Sequence, residues 1–473
     1  MSDTLMVGVS GVRGLVGTDL TPEVVARWAA AFGTWACAVR GARSAGRRHP
    51  SVVLGRDSRT SGPMFARAAT AGLMSVGCAV IDVGLVPTPT VQLAVEHHRA
   101  AGGIVLTASH NPIEWNALKF VGPDGIFLDG IAGTRVRELA GDGRIGRAAY
   151  DALGEVGSDP DAVERHVDAV LAVRALNVRA IRRCRFRVAL DTVRGAGGVV
   201  MPELLQRLGC RVAAINLETD GRFPRPPEPV PENLGALGKL VRRTKADVGI
   251  AVDPDVDRLA IVDERGRPIG EDYTLAFAVR AVLGSRSTNR PAVVCNLSTS
   301  LVVEDAARAY DAHVVRTPVG EAHVARKMLE VGAPIGGEGN GGVMYPALHA
   351  GRDAPLAAAL VLALLARDEK TVSEVVASAP RYVIVKAKLE RGTLKGQARN
   401  AERGMDDVYA GLRRRFPDGR VDTQDGLRLA WPDRWLHVRP SGTEPIIRLI
   451  AEAPTEADAE RLIDEGRRSC AAS

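Results

Sequence analysis

Along the chain, short unbroken apolar runs alternate with helix-like stretches, and one order of runs recurs three times. Val52-Val53-Leu54 leads through Gly55-Arg56-Asp57 and a helical stretch to Ala79-Val80-Ile81-Asp82-Val83, then to Gly103-Ile104-Val105-Leu106. The second pass runs Val188-Ala189-Leu190-Asp191, helix, Arg211-Val212-Ala213-Ala214-Ile215, then Val248-Gly249-Ile250-Ala251-Val252. The third runs Ala292-Val293-Val294-Cys295, helix, His313-Val314-Val315, then Ala333-Pro334-Ile335. Apolar runs bounded by Gly, Asp and Pro read as buried strands, and self-similarity at a long period reads as repeated units. After Ser378 the pattern changes. Trp435-Leu436-His437-Val438-Arg439 and Ile446-Ile447-Arg448-Leu449-Ile450 predict two strands around a turn, and a helix opens near Thr455 with Glu456 and Asp458 in its dipole-favoured first turn. The pattern therefore predicts an α/β chain of three similar mixed-sheet α/β domains, residues 1–152, 153–264 and 265–377, followed by a smaller α+β domain, 378–473.

In each repeat the third strand runs into a loop rich in Gly, Asp, Ser or Asn, and open α/β sheets bind ligands beyond the carboxyl ends of their strands. One site could draw a loop from every unit. The first loop, Thr107-Ala108-Ser109-His110-Asn111-Pro112, holds a serine at the rim of a sheet with Pro112 fixing the exit. No Gly-x-Ser-x-Gly elbow is present, so an acyl-transfer triad is not indicated. Adjacent side chains on a turn point apart, so His110 need not serve as the base for Ser109. The second loop presents Asp253, Asp255 and Asp257 at alternate positions, three hard oxygen ligands suited to Mg²⁺. An EF-hand shares this start and places Glu264 twelfth, but Arg258 stands where its sharp turn needs Gly. A strand followed by Asp-x-Asp also opens a phosphatase in which Asp253 is the nucleophile.

The third loop, Gly337 to Gly342, sets the carboxylate of Glu338 and the amide of Asn340 among glycines, a mixed donor and acceptor set suited to sugar hydroxyls. The fourth, Arg439 to Pro445, gathers Arg439, Ser441 and Thr443 around Gly442, with Arg448 beyond, as a cradle for a phosphate. Each loop alone also reads as an ordinary turn. Together they supply a nucleophilic hydroxyl, a cation loop, a polyol loop and a remote anion cradle. Phosphoryl exchange on a sugar needs these parts, because it depends on positioning and charge neutralisation, and a second anion cradle points to a mutase.

Composition narrows the alternatives. At 473 residues, with 46% hydrophobic and 25% charged residues, the chain is long enough for several cores and far from a disordered composition. The run Ala354 to Ala366 is too short to span a bilayer and predicts a buried helix, and no basic-then-apolar leader is seen, so a cytoplasmic enzyme without a membrane partner is expected. The net charge of +6 is dispersed, and aromatic residues make up only 4%, which suits a small anionic substrate better than nucleic acid. The cluster Arg40, Arg43, Arg47 and Arg48 reads as a solvated loop. Six scattered cysteines show no pairing or zinc spacing and read as reduced.

The four loops in this order, with the opening Gly8-Val9-Ser10-Gly11-Val12-Arg13-Gly14, resemble the α-D-phosphohexomutase superfamily over essentially the whole chain. The resemblance implies a heart-shaped, four-domain enzyme that carries phosphoserine at Ser109 and binds Mg²⁺ through that group and the three aspartates. It implies that hexose 6-phosphate and hexose 1-phosphate interconvert through a bisphosphorylated sugar, with a hexose bisphosphate as activator. It also implies active-site roles for Arg13, His110, Lys119 and Arg258, and sugar contacts for Glu338 and Asn340. Glucosamine 6-phosphate is the expected substrate, with mannose and glucose phosphates as alternatives and a monomer or homodimer as the assembly. A sugar phosphatase or a non-catalytic regulatory protein of the same fold are the remaining alternatives. Three positions depart from the usual pattern: Asn340 and Gly342, where Ser and His are common, and Ala117 in place of a glycine. The missing histidine leaves the acid-base group of this loop unassigned.

Overall fold

The computed structural model describes residues 5–8, 11–40, 49–285, 290–390, 401–441 and 446–472. Arg43, Arg47 and Arg48 of the basic cluster, and Val9 and Ser10 of the opening motif, lie outside these residues.

The first sheet contains β1 (Met6–Gly8), β2 (Gly11–Leu15), β3 (Ser51–Arg56), β4 (Ala79–Leu85), β5 (Gly102–Leu106), β6 (Trp115–Val121) and β7 (Val156–Ser158), in the order β1-β2-β6-β5-β3-β4-β7. The second contains β8 (Arg187–Asp191), β9 (Arg211–Ile215), β10 (Val248–Val252) and β11 (Leu259–Val262), ordered β11-β10-β8-β9. The third contains β12 (Ala292–Asn296), β13 (His313–Thr317), β14 (Ile335–Glu338), β15 (Gly342–Tyr345) and β16 (His349–Arg352), ordered β13-β12-β14-β15-β16. One plan underlies all three. A central strand (β3, β8, β12) pairs in parallel with the second and third strands of its unit, and the third (β5, β10, β14) then pairs with an antiparallel return strand. The loop between third strand and return strand is the functional loop of the sequence reading. β5, β10 and β12 are buried at every position, which is why they read as unbroken apolar runs.

Three details go beyond the pattern. Gly11–Leu15 forms a strand despite its glycines, because a Cβ on Gly11 would lie 2.0 Å from the Leu118 carbonyl oxygen and only glycine lets β2 approach β6. β7 joins the first sheet beside β4, so that sheet reaches past residue 152, the boundary expected from the sequence. The third loop is much shorter than its glycine run suggests: β14 continues through Glu338, which pairs with Gly342, and only 339–341 turn. Strand propensity disfavours glycine, but here Gly336 packs against the Val294 carbonyl oxygen at a distance no side chain would allow.

The fourth sheet is antiparallel, ordered β17-β21-β20-β19-β18, from β17 (Val383–Glu390), β18 (Arg420–Asp422), β19 (Leu427–Ala430), β20 (Trp435–Pro440) and β21 (Ile446–Ala453). Helices Ala401–Arg415 and Glu456–Ala472 contribute Val408, Leu412 and Ile463 to its core. Helix Ala354–Asp368, the longest apolar run, lies in one continuous core shared by the second and third units, capped by Asp353, whose side chain accepts from the Leu356 amide at 2.8 Å. Among the described residues no helix is long and apolar enough to cross a membrane.

Candidate active site

The serine loop is held from beneath. Asp57, one residue past β3, accepts from the Thr107 hydroxyl at 2.7 Å, and Thr107 Oγ1 accepts from the Ser109 amide at 2.9 Å. Arg59 is fully buried and ion-paired to Asp57 at 3.0 Å. Its guanidinium also donates to the carbonyl oxygens of Ser109 (2.6 Å), Asn111 (2.6 Å), Pro112 (2.5 Å) and Trp115 (2.9 Å). This set of charge-assisted bonds fixes the backbone of the whole turn. Ser109 itself takes φ +50°, a left-handed conformation that costs on the order of 1 kcal/mol or more for a side-chain-bearing residue. From there its Oγ donates to Asp253 Oδ2 at 2.9 Å, with His110 Nδ1 at 3.4 Å. The turn thus brings His110 beside Ser109, closer than the expectation of divergent side chains. Burial, then the cations Arg258 and Arg13, push the His110 imidazole well below its ordinary pKa, so it is neutral at neutral pH. Arg13 on β2 donates to the Asn111 side chain at 2.6 Å.

The aspartate loop turns sharply at Val256, whose φ of +62° is an outlier for a β-branched residue. That turn aims three fully buried carboxylates at one point, with oxygens of all three within 4.8 Å of one another. Asp253 Oδ1 accepts the amides of Asp257 and Arg258, both at 3.2 Å. Asp255 Oδ2 accepts from Lys119 Nζ at 2.7 Å and from the Thr88 hydroxyl at 2.8 Å. Asp257 Oδ2 accepts from Arg352 Nη2 at 2.6 Å. Burial and then the charges of Asp255 and Asp257 push the Asp253 carboxyl well above its usual range. Burial also opposes ionisation of Asp255, but Lys119 and the hydrogen bonds it receives hold it below the usual range. Asp255 Oδ1 and Asp257 Oδ1 are buried with no hydrogen-bond partner. Two such oxygens within a triple carboxylate cluster fit a hard divalent cation, which would satisfy both and relieve the repulsion on Asp253. The EF-hand alternative does not fit, because Glu264 turns away to bond Ser373 at 2.5 Å.

Glu338, at the end of β14, accepts from Asn296 Nδ2 (2.8 Å), the Gly320 amide (3.1 Å) and Arg352 Nη1 (3.0 Å). Burial opposes its ionisation, yet Arg352 and Asn296 keep the carboxyl below its ordinary value. Asn340 Oδ1 accepts from the Gly342 amide at 3.2 Å, and the Leu259 amide donates to the Gly341 carbonyl at 3.0 Å, so the polyol loop rests directly on the strand after the aspartate loop. Among the described residues, Ser109, His110, Arg13, Lys119, Arg258, Glu338, Asn340 and Arg448 line one cavity of about 360 Å³. The aspartates lie just behind Ser109. Arg439, opposite Arg448 on the β20–β21 pair, forms an ion pair with Asp425 at 2.8 Å, and the Ser441 amide donates to the Ile446 carbonyl at 2.9 Å. Gly442 and Thr443 lie outside the described residues. The sequence reading missed Arg59, Thr88, Glu321 and Arg352. Arg59 follows the quoted Gly55-Arg56-Asp57 by two residues, but its partners are some fifty residues away, and spacing alone does not show such a pairing.

Three sheets that each place a loop, and a fourth that contributes Arg448, surround a buried serine, a carboxylate cluster and a cationic cavity on a four-domain α/β scaffold, an arrangement suited to phosphoryl transfer. Comparison with known proteins agrees. Phosphoglucomutase/phosphomannomutase alpha/beta/alpha domains I, II and III match residues 4–140, 164–266 and 270–382, and the C-terminal domain of the same group matches 385–469. The chain belongs to the phosphoglucomutase/phosphomannomutase family and is an enzyme of the isomerase-type phosphotransferase class. It is 39% identical to a phosphoglucomutase/phosphomannomutase of Thermococcus kodakarensis, over 98% of this chain and 97% of that one. It is 37% identical to a probable phosphoglucosamine mutase of Methanopyrus kandleri, over 97% and 96%. The crystal structure of a phosphoglucomutase/phosphomannomutase family protein from Burkholderia thailandensis superposes with a TM-score of 0.83 at 27% identity, covering 99% of this chain and 96% of that one.

Proposed function

We propose that the chain interconverts hexose 6-phosphate and hexose 1-phosphate by passing a phosphoryl group between Ser109 and the sugar. The observation that carries this reading is the placement of Ser109 Oγ: 2.9 Å from the carboxylate cluster and on the wall of a cavity that also reaches Glu338 and Arg448. In the first half-reaction a sugar hydroxyl oxygen bonds to the phosphorus carried on Ser109 and the Oγ–P bond breaks. The hydroxyl proton ends on the departing Ser109 Oγ, with neutral His110, whose Nδ1 lies 3.4 Å from that oxygen, as its carrier. The product is a bisphosphorylated sugar. Turned end for end, it returns its other phosphoryl group to Ser109 Oγ, and the sugar oxygen recovers a proton. Arg13, Lys119 and Arg258 neutralise the charge on the transferring group, and Arg448, with the Arg439–Ser441 segment, holds the phosphate that does not react. Glu338 and Asn340 contact the sugar hydroxyls. Asp253, Asp255 and Asp257 would hold Mg²⁺, which when bound supplies further neutralisation of phosphoryl oxygens. A trace of hexose bisphosphate would phosphorylate resting Ser109.

For the sugar, glucosamine 6-phosphate is the first reading, in line with the name of the Methanopyrus kandleri relative. The name of the Thermococcus kodakarensis relative favours the second, glucose or mannose phosphate. The enzyme is proposed to work in the cytoplasm as a monomer or homodimer. The test compares kcat/KM on glucosamine 6-phosphate, mannose 1-phosphate and glucose 1-phosphate with a bisphosphate primer. The largest value on glucosamine 6-phosphate supports the first reading, and a larger value on either of the others replaces it. Release of free phosphate without isomer formation would make the chain a phosphatase.

A further inference from the structure

Arg352, the last residue of β16, was not among the candidates from sequence, yet it stands where the cation loop and the polyol loop meet. Its three guanidinium nitrogens each face a carboxylate from a different segment. Nε donates to Glu321 Oε2 at 2.9 Å, Nη1 to Glu338 Oε2 at 3.0 Å and Nη2 to Asp257 Oδ2 at 2.6 Å. Glu321, at the start of helix Glu321–Val331, also accepts from the Arg352 amide at 3.3 Å and from Gln92 of the first unit at 3.1 Å. The side chain is nearly buried and lines the central cavity. Because the guanidinium is planar, the three contacts fix the orientation of each carboxylate as well as its charge. For Asp257 the outcome is visible: Oδ2 is tied to Arg352, and the other oxygen, Oδ1, is left buried with no hydrogen-bond partner.

Gly342 explains how Arg352 gets there. A Cβ on Gly342 would lie 2.3 Å from Arg352 Cδ and 3.0 Å from Cγ. The stem cannot swing clear without breaking contacts that pin its far end at three points. Any side chain at position 342 therefore competes with Arg352 for the same space.

We propose that Arg352 is a positioning residue that makes the polyol-loop carboxylate Glu338 and the cation-loop carboxylate Asp257 one mechanical unit, and that Gly342 is the opening that admits it. The proposal rests on the reading of Glu338 as a sugar contact and of Asp257 as a cation ligand. With no side chain at 342, an arginine on the neighbouring strand β16 reaches across and orders the loop. Its consequence is that a change at Arg352 or Gly342 disturbs two ligands bound by two different loops.

The test measures direct binding, with no turnover, on the full chain. Glucose 1-phosphate is titrated by calorimetry in the presence of a chelator, and Mn²⁺ is titrated separately by the loss of its free-ion paramagnetic resonance signal. Wild type, Arg352→Lys and Gly342→Ala are compared, with circular dichroism and melting temperature recorded for each. Arg352→Lys keeps the charge and removes the fork. Gly342→Ala keeps every charge and displaces the stem, and serves as the second variant should the lysine chain not fold. The expected result is that each folded variant weakens glucose 1-phosphate binding roughly tenfold or more and Mn²⁺ binding several-fold. A purely structural role would lower the melting temperature and leave both dissociation constants within twofold, and that outcome overturns the proposal, as does loss confined to one ligand. A wild-type chain that binds Mn²⁺ but no phosphosugar overturns the underlying reading of Glu338 instead, and is distinguished because the failure then appears before any substitution.

Discussion

Ser109 sits in a backbone conformation that its own side chain does not favour, and Arg59 is the residue that keeps it there. One guanidinium serves four carbonyl oxygens of the turn while its own charge is balanced by Asp57, both buried. Lysine could supply the charge but not the fork. Arg59→Lys is therefore expected to lower kcat by about a hundredfold, the scale of effect a shift of about 1 Å in a reacting group produces, with a much smaller change in KM. Equal kcat in the folded variant would remove Arg59 from the account. Arg59→Met leaves Asp57 and the carbonyls without their partner and is expected to cost about 3–5 kcal/mol in a denaturant titration. The serine loop was legible in the sequence because an unbroken apolar strand runs straight into an Asn-Pro turn. The arginine was not, because nothing in residues 55–59 reveals that the neighbouring parallel strand delivers its loop directly above them.

Among elements, the three-residue turn between β14 and β15 shows where pattern reading fails. Its glycines read as a loop from Gly337 to Gly342, yet Gly337, Glu338 and Gly342 lie in strands, held by close backbone contacts that only glycine allows. Periodicity reports which face is buried. It does not report how near another backbone comes. Gly341 carries both constraints, with φ +86° and an added Cβ falling 2.4 Å from the Leu259 carbonyl oxygen. Gly341→Ala is expected to destabilise the chain by about 2 kcal/mol or more and to raise KM for the phosphosugar, since the turn that positions Glu338 and Asn340 must move off β11. Urea denaturation and initial-rate kinetics check the two halves separately. Unchanged KM would detach this turn from sugar binding. By contrast, eight of the nine strands named in the three repeats formed close to their expected bounds, while the ninth, expected at Ala333 to Ile335, runs Ile335–Glu338. The clearest, β5, β10 and β12, are buried on both faces and so leave unbroken apolar runs.

At the scale of the whole molecule, the site exists only because four sheets are held in register, and the third and fourth units meet at a buried polar seam. Glu452 of β21 accepts from the Ser300 hydroxyl, from the Leu301 amide at 2.8 Å and from Trp435 Nε1 at 2.6 Å, while His437 and Ser298 bond at 2.9 Å. Beside this seam, burial pushes the Asp272 carboxyl up to about 8. At pH 7 it is protonated in the folded chain and ionised in the unfolded one. The unfolded state then binds fewer protons, so stability falls as pH rises from the ordinary carboxylate range toward 8, by on the order of 1 kcal/mol per pH unit, and levels off above it. His437, pushed down to about 4 by burial, is neutral in folded and unfolded chains above pH 7 and adds no slope there. Urea midpoints of wild type and Asp272→Asn should accordingly diverge between pH 7 and 8, with the variant losing less. Parallel curves would place Asp272 in its charged form. The central claim, that Ser109 carries the phosphoryl group for this four-unit site, is tested most directly by peptide mass spectrometry after incubation with glucose 1,6-bisphosphate. The account predicts one phosphoryl group on Ser109, lost when sugar monophosphate is added, and no mutase turnover by Ser109→Ala. An unmodified Ser109 together with full activity of the alanine variant would contradict it.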